Sequence, residues 1–528
     1  MGSHYSGLDW AVFVAYGLLI VLTGWFFNRQ RAANSQDYFL GGNQMPTWIV
    51  AISVLATSQS AATFIGGPDQ GYQGDLSYLA TNIGALIAVL FVAKVLIPKF
   101  YQYKVYTVYE LLEKRMGTSA KRQAGLMYLF GRVFASGARL YMAAIAVSMI
   151  LFGDIAPGSV ISATVILAAV GVLYTVFGGI RTVIYSDVVQ CGVYVSAAIC
   201  VIYFLLKAIP ADMSQIINVL QHPAADAPSK LALFKFNWDF SASGVFNMAS
   251  VLTGFVLLNI AAFGLDQDMT QRVLTCKSAK DGSKAMLMSI VMVVPVMFLF
   301  IVIGLLLFIF YQRPDIMLGN EMAVNQEFNG EKITIFMYYV LNEIPAGVKG
   351  LVTIGIIAAA LSTLNSGLNS MSSVLIQDIY RPWLAKNNQQ RDEHHFVKAG
   401  QAGMVIVSIA LGSMAVLCYY WQQYTEMPLL KFALSVMVFS YSGLLGVYFT
   451  ALFTQRGSQR SVLAALIVGF LVTLAFQPYV MQFLLPAEWQ INLGFTWQLC
   501  IGTLISFLVC VSGNSDDENR NMFKAGAQ

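Results

Sequence analysis

Residues 53–68 read Ser53-Val54-Leu55-Ala56-Thr57-Ser58-Gln59-Ser60-Ala61-Ala62-Thr63-Phe64-Ile65-Gly66-Gly67-Pro68. They lie in an apolar run at 46–66 of membrane-spanning length, yet Ser53, Thr57, Ser58, Gln59, Ser60 and Thr63 are polar. Polarity inside a bilayer is costly and usually functional. Two readings are open. A continuous helix turns its hydroxyls back on carbonyls one turn earlier. A helix that unwinds at mid-depth frees carbonyls, those of Ala56 and Gln59 among them, to face a cation. The abrupt stop at Gly66-Gly67-Pro68 favours the break.

The rest of the chain supplies the setting. Its 528 residues are 57% hydrophobic and 11% charged, and mean hydropathy is +0.65. A soluble globular chain carries roughly 25% charged residues, so a soluble enzyme, a disordered chain and a nucleic-acid binder are excluded together. A net charge of +4 is too small for a phosphate-backbone partner. Runs long enough to cross the bilayer fall at 9–27, 46–66, 79–98, 124–152, 158–177, 180–207, 244–265, 285–311, 347–378, 397–420, 428–453, 461–482 and 490–512. They exceed the ~10-residue alternating strands of a barrel, and backbone groups in lipid must be bonded internally, which leaves helices. The expected fold is an all-α polytopic membrane protein of thirteen transmembrane helices in one domain, 1–528.

Lys and Arg collect on cytoplasmic connections. With the N-terminus outside, 21 of the 31 basic residues fall inside and 7 outside, so the C-terminus is expected in the cytoplasm. No Lys or Arg precedes the first run, which therefore reads as a retained helix rather than a cleaved signal. The tail after Gly513 reads as too short for a catalytic domain, and no enzyme activity is expected. The six cysteines show neither zinc spacing nor an outer-loop pair.

Three further positions break the apolar pattern. In the 347–378 span, Ser362, Asn365, Ser366 and Asn369 follow helical spacing on one face, with Thr363 beside it. Such a face suits a hard cation such as Na⁺, or serves as a small-residue packing seam. Asp187 falls about 10 Å into the 180–207 helix. It reads either as part of an ion site or as a structural pair with Arg181. Arg132 and Arg139, seven apart in the 124–152 span, share a face. Arg139 either binds a substrate carboxylate bidentately or is a satisfied structural Arg. Lys94 snorkels to the inner interface.

Five stretches in order resemble the solute:sodium symporters. These are Asp37-Tyr38-Phe39-Leu40-Gly41-Gly42, Tyr106 to Arg115, Tyr174 to Gln190, Asp266-Gln267-Asp268-Met269-Thr270-Gln271-Arg272, and Gly350 to Tyr380. The resemblance covers about 10–512. It implies the LeuT-like 5+5 inverted repeat, with a leading helix at 9–27, repeats at 46–207 and 244–453, and trailing helices at 461–512. Ser53-Val54-Leu55 and Ser250-Val251-Leu252 would open the two broken helices alike. The family's common sodium site maps onto the carbonyls of Ala56, Gln59 and Ala359 and the hydroxyls of Ser362 and Thr363. A second site in some members maps onto Asp187, Ser362, Asn365 and Ser366, with Asn365 where the family has a hydroxyl. Implied substrate contacts are Ser60, Thr63, Tyr78, Asn82, Asn259 and Phe263, with Arg139 making a carboxylate solute plausible. Sugar-carrying members have an acid and a gating Tyr where Asn82 and Ala262 stand here.

The expected function is a plasma-membrane symporter coupling Na⁺ entry to uptake of a small polar organic solute. Carboxylates such as sialic acid, monocarboxylates and amino acids stand first; a sugar or polyol is the alternative solute. A proton-coupled transporter resting on Asp187, and a transporter-like sensor, are the readings of other classes. The expected partners are the solute, Na⁺ and the lipid bilayer.

Overall fold

The break expected in the second span is present, and it organises everything around it. In the computed structural model, which describes residues 5–27, 34–176, 178–224, 227–318, 327–328, 331–425 and 429–514, the chain opens with α1 (Gly7–Phe27). The second span is two helices, α2 (Thr47–Ser58) and α3 (Ala61–Gln73), bent by 62°. The α2 ladder ends with the Gln59 amide on the Leu55 carbonyl (3.0 Å), and bonding resumes with Thr63 and Phe64 on Ser60. Between them Gln59 (φ −93°, ψ 98°) and Ser60 (φ −98°, ψ 175°) are extended. Both readings of the hydroxyls hold in part, because Thr57 donates back to Ser53 and Ser58 to Leu55, and still the helix stops. The last carbonyls of α2, Ala56 among them, lie beyond the reach of its own ladder.

Then come α4 (Ser77–Gln102), α5 (Thr118–Leu151), α6 (Pro157–Thr175), α7 (Gly179–Ala208) and α8 (Met248–Leu265). The helix α9 (Gln267–Leu274) follows α8 after a single extended residue, Asp266. The order continues with α10 (Ala279–Gln312), α11 (Val348–Lys386), α12 (Glu393–Thr425) and α13 (Leu429–Phe453). The chain ends with α14 (Gln459–Ala475), α15 (Pro478–Leu484) and α16 (Phe495–Ser512). Among the described residues eleven helices are long and apolar enough to cross a membrane, and thirteen spans result if each bent pair is one. A two-residue antiparallel pair, Glu327–Phe328 with Glu331–Lys332, is the only strand structure among them.

Two spans differ from expectation. The run at 461–482 is not one rod: α14 ends at Ala475 and α15 leaves it at 82°, because Pro478 opens a new helix rather than continuing the old one. The run at 244–265 becomes helical only at Met248, is interrupted at Thr253 (φ −121°, ψ −82°), and stops before Asp266. The interrupted helices of the 46–66 and 244–265 runs thus share a Ser-Val-Leu triplet but break at different distances from it.

Packing explains how the broken helix is held. A Cβ on Gly71 would lie 2.3 Å from the Ile301 carbonyl oxygen, and one on Gly304 would lie 1.9 Å from that of Pro68. The α3 and α10 backbones therefore touch, which only small residues permit. In the first turn of α1, Asp9 accepts from the backbone amides of Gly347 and Gly350 (2.8 and 2.7 Å). It thereby satisfies orphan donors at the start of α11.

Candidate sodium and solute sites

Asp187 joins the broken helix to α11. Its Oδ2 accepts from Ser53 Oγ in α2 (2.5 Å) and its Oδ1 from Ser362 Oγ in α11 (2.6 Å). The charge that answers it is Arg272 in α9, whose Nη2 lies 3.1 Å from Oδ2 and whose Nε donates to Ser53 Oγ at 2.8 Å. Both side chains have 0% exposure. The pairing with Arg181 is corrected: Arg181 bonds the Gly41 carbonyl and lies 4.0 Å from Asp37. Arg272, one of the 21 basic residues expected on inner connections, lies instead in the buried interior.

The network continues. Arg272 Nη1 bonds Asp268 Oδ1 at 2.9 Å. Arg132 bonds Asp268 and, at 3.0 Å, Asp266, which also accepts from Tyr441 Oη at 2.6 Å. Ser366 donates to Asp268 (3.1 Å), and Gln271 donates to Asn369 (2.8 Å). Two guanidiniums thus face three carboxylates, with hydroxyls filling the remaining lone pairs, which is what a buried ionic cluster requires. The polar face of α11 is mostly engaged here. Asn365 is the exception: neither of its side-chain atoms has a partner among the described residues, and its Oδ1 would lie 3.4 Å from a Cβ on Gly171 in α6, away from the cluster. Sequence reasoning missed Asp266, Asp268 and Arg272 as buried groups, although the i,i+4 spacing of Asp268 and Arg272 is the kind that pairs on a helix.

Of the residues expected from the sequence to form the first sodium site, Ala56 and Gln59 sit at the break and Ala359, Ser362 and Thr363 on α11. α2 and α3 both pack against α11, and the Asp187 carboxylate ties Ser53 of α2 to Ser362 of α11. Thr363 donates to the Ala359 carbonyl at 3.2 Å, which leaves its lone pairs available to a cation.

Beside the break lies a cavity of about 120 Å³ between α2, α3, α4, α5, α8, α10 and α13. Every substrate contact named from the sequence lines it: Ser60, Thr63, Tyr78, Asn82, Arg139, Asn259 and Phe263. So do Ser58 and Gln59, so cavity and break are continuous. Among the described residues, the Arg139 guanidinium has no partner at Nε or Nη1, and its Nη2 meets only Met437 Sδ at 3.4 Å. Among the described residues no Asp or Glu lines the cavity. Asn82 and Asn259 spend their amide donors on the Leu79 and Phe255 carbonyls.

Tyr78 and Phe246 (ring centroids 5.1 Å apart) stand between this cavity and a cleft of about 310 Å³. Lys235, Asp239 and Lys431 line the cleft. There the Ser241 hydroxyl and amide hold the Asp239 carboxyl below the usual carboxylate range.

A span broken at its midpoint, a neutral-oxygen helix against it and a solute-sized cavity between them define a secondary active transporter. The chain belongs to the sodium:solute symporter family, whose profile matches residues 38–469. It is 26% identical over 472 residues to the sodium/sialic acid symporter SiaT of Proteus mirabilis, covering 89% of this chain and 90% of that one. It is 25% identical over 496 residues to the sodium/glucose cotransporter of Vibrio parahaemolyticus, covering 91% and 87%. A solved Na⁺-coupled sialic acid symporter in a substrate-bound outward-open state superposes with a TM-score of 0.78 at 23% identity, over 96% of this chain and 97% of that one. The fold is therefore the LeuT-like one of these symporters, and the protein is a multi-pass membrane transporter that couples Na⁺ to a small organic solute.

Proposed function

We propose that this symporter imports a hydroxylated organic acid, in the range from lactate to sialic acid, with one Na⁺ per cycle. The observation that carries the reading is Arg139: a buried guanidinium with two open nitrogens, in a cavity that supplies no acid to neutralise it. A carboxylate offers it the bidentate, charge-assisted partner it lacks. Ser60, Thr63, Asn82 and Asn259 line the same space and suit hydroxyls. A neutral sugar would leave the cation unanswered.

The coupling ion in this reading lies between the Ala56, Gln59 and Ala359 carbonyls and the Ser362 and Thr363 hydroxyls. Asp187, with Ser362, Asn365 and Ser366, is a poorer second Na⁺ site. Arg272 already neutralises the carboxylate, and Asn365 turns toward α6. Segments 46–207 and 244–453 serve as the two inverted repeats, and the basic ends of the helices face the cytoplasm of a plasma membrane. Na⁺ at the break orders the residues that touch the solute, solute closes the outer path, and rocking opens the inner one. One Na⁺ crossing with one carboxylate moves no net charge, so the sodium concentration gradient alone drives accumulation, about 1.4 kcal/mol for each tenfold ratio.

The test is a stability and uptake screen in Na⁺ and in K⁺ with sialic acid, lactate and glucose, since a ligand stabilises by mass action. An acid that stabilises and enters only with Na⁺ is expected. Sodium-dependent uptake of glucose, with no acid bound, overturns the proposal.

A further inference from the structure

At the end of the bundle where basic residues gather, α5, α11 and α12 part around a cavity of about 1020 Å³, remote from the solute site. It starts where α11 widens into a π-helical turn, Leu375–Tyr380. Its walls are apolar: Leu375, Ile376 and Ile379 from α11, and Ala399, Ala402 and Ile406 from α12. Ile406 lies eight residues beyond Lys398, so the apolar wall rises about 12 Å from the bundle end at 1.5 Å per residue. Trp383, Tyr380 and His395 stack at the mouth, with planes tilted by 18° and 29°, and Tyr380 Oη lies 2.9 Å from His395 Nε2. An aromatic with one wet edge and one apolar face belongs at a membrane–water interface.

Three cations rim the mouth: Arg122 of α5, Lys386 ending α11 and Lys398 of α12. None of them has an ion pair among the described residues, because the nearby acids are committed elsewhere. Glu113 pairs with Lys121, Glu393 with Arg381, and Asp392 accepts from the His395 amide. The one carboxylate in the lining, Asp378, turns to Thr107, whose Oγ1 is 2.8 Å from each of its oxygens. A tall apolar slot with an unanswered ring of positive charge at its membrane-surface end matches one ligand chemistry, acyl chains carrying an anionic phosphate head. Basic pockets between transmembrane helices bind such head groups.

We propose that this cavity is a specific site for an anionic phospholipid, its phosphate held by Arg122, Lys386 and Lys398 and one acyl chain laid along Ala399, Ala402 and Ile406. Three basic residues near an anionic head give a preference over a zwitterionic lipid on the order of a hundredfold. The orientation proposed above makes it an inner-leaflet site, but binding measured in detergent does not depend on orientation. A failure of one is thus distinguishable from a failure of the other.

The full chain in detergent is titrated with phosphatidylglycerol, phosphatidylcholine or inorganic phosphate and read by native mass spectrometry and thermal unfolding. Phosphatidylglycerol is expected to stay bound and raise the melting temperature, and the other two to do neither. In the triple variant Arg122→Gln, Lys386→Gln, Lys398→Gln, its retention should fall to that of phosphatidylcholine. Each single variant, available should the triple one not fold, should lose about fivefold. Ala402→Trp keeps the charges, fills the slot and should lose the lipid as well. Undiminished retention in the triple or single variants, or displacement of the lipid by phosphate alone, overturns the proposal.

Discussion

Position 139 holds a guanidinium among methionines, aromatics and neutral polar groups, met among the described residues only by the sulfur of Met437. If it receives the solute's carboxylate, Arg139→Gln should cut kcat/KM for the acid by at least a hundredfold, the scale on which removing one partner of a buried charge pair acts. Arg139→Lys should recover only part, because an ammonium cannot grip both oxygens in a plane. Radiolabelled uptake in proteoliposomes measures both. Thr363→Ala should raise the Na⁺ concentration for half-maximal uptake about tenfold and Thr363→Ser should restore it; identical sodium curves in all three proteins would remove Thr363 from the ion site. Arg139 and the serines of α11 were legible in the sequence because a charge or a run of hydroxyls inside an apolar stretch is conspicuous in one dimension. The partner of Asp187 was not. Arg272 lies 85 residues further on, beyond a span that reads as ending before it. Nothing local distinguishes a buried arginine there from one that orients the chain.

Among elements, the 347–378 face shows how far periodicity goes. Ser362, Ser366 and Asn369 meet the buried cluster as their spacing requires, whereas Asn365, at the edge of the same face, meets nothing. Spans were legible to within a few residues wherever hydrophobicity alone makes a helix. They were misread where Pro478 redirects the chain and where Thr253 interrupts it, since an apolar count does not see a change of direction. The cluster itself behaves as one element. Arg272→Met should destabilise the protein by about 3–5 kcal/mol, since it leaves Asp187 buried and unanswered. Arg272→Met with Asp187→Leu should recover much of that loss, as read by thermal unfolding. A double variant no more stable than the single one would show that Asp187 is not the partner that matters.

For the molecule as a whole, the reading of one Na⁺ per cycle predicts a Hill coefficient for sodium near one and a ²²Na⁺-to-solute ratio of one in proteoliposomes. A ratio of two would place a second ion despite Arg272. Five charged side chains, Arg132, Asp187, Asp266, Asp268 and Arg272, buried and bonded to one another between α2, α5, α7 and α9, also oppose any opening through that region, because hydrating them one at a time strands their neighbours.

The contact between Gly71 and Gly304 fixes where motion can occur. Two backbones that already touch cannot slide past each other without first lifting apart, so α3 and α10 travel as a single plank. The pivot then falls at Gln59–Ser60, where no ladder bond crosses. A cross-link joining α3 to α10 should leave turnover intact, while one pinning α2 to α11 should stop it.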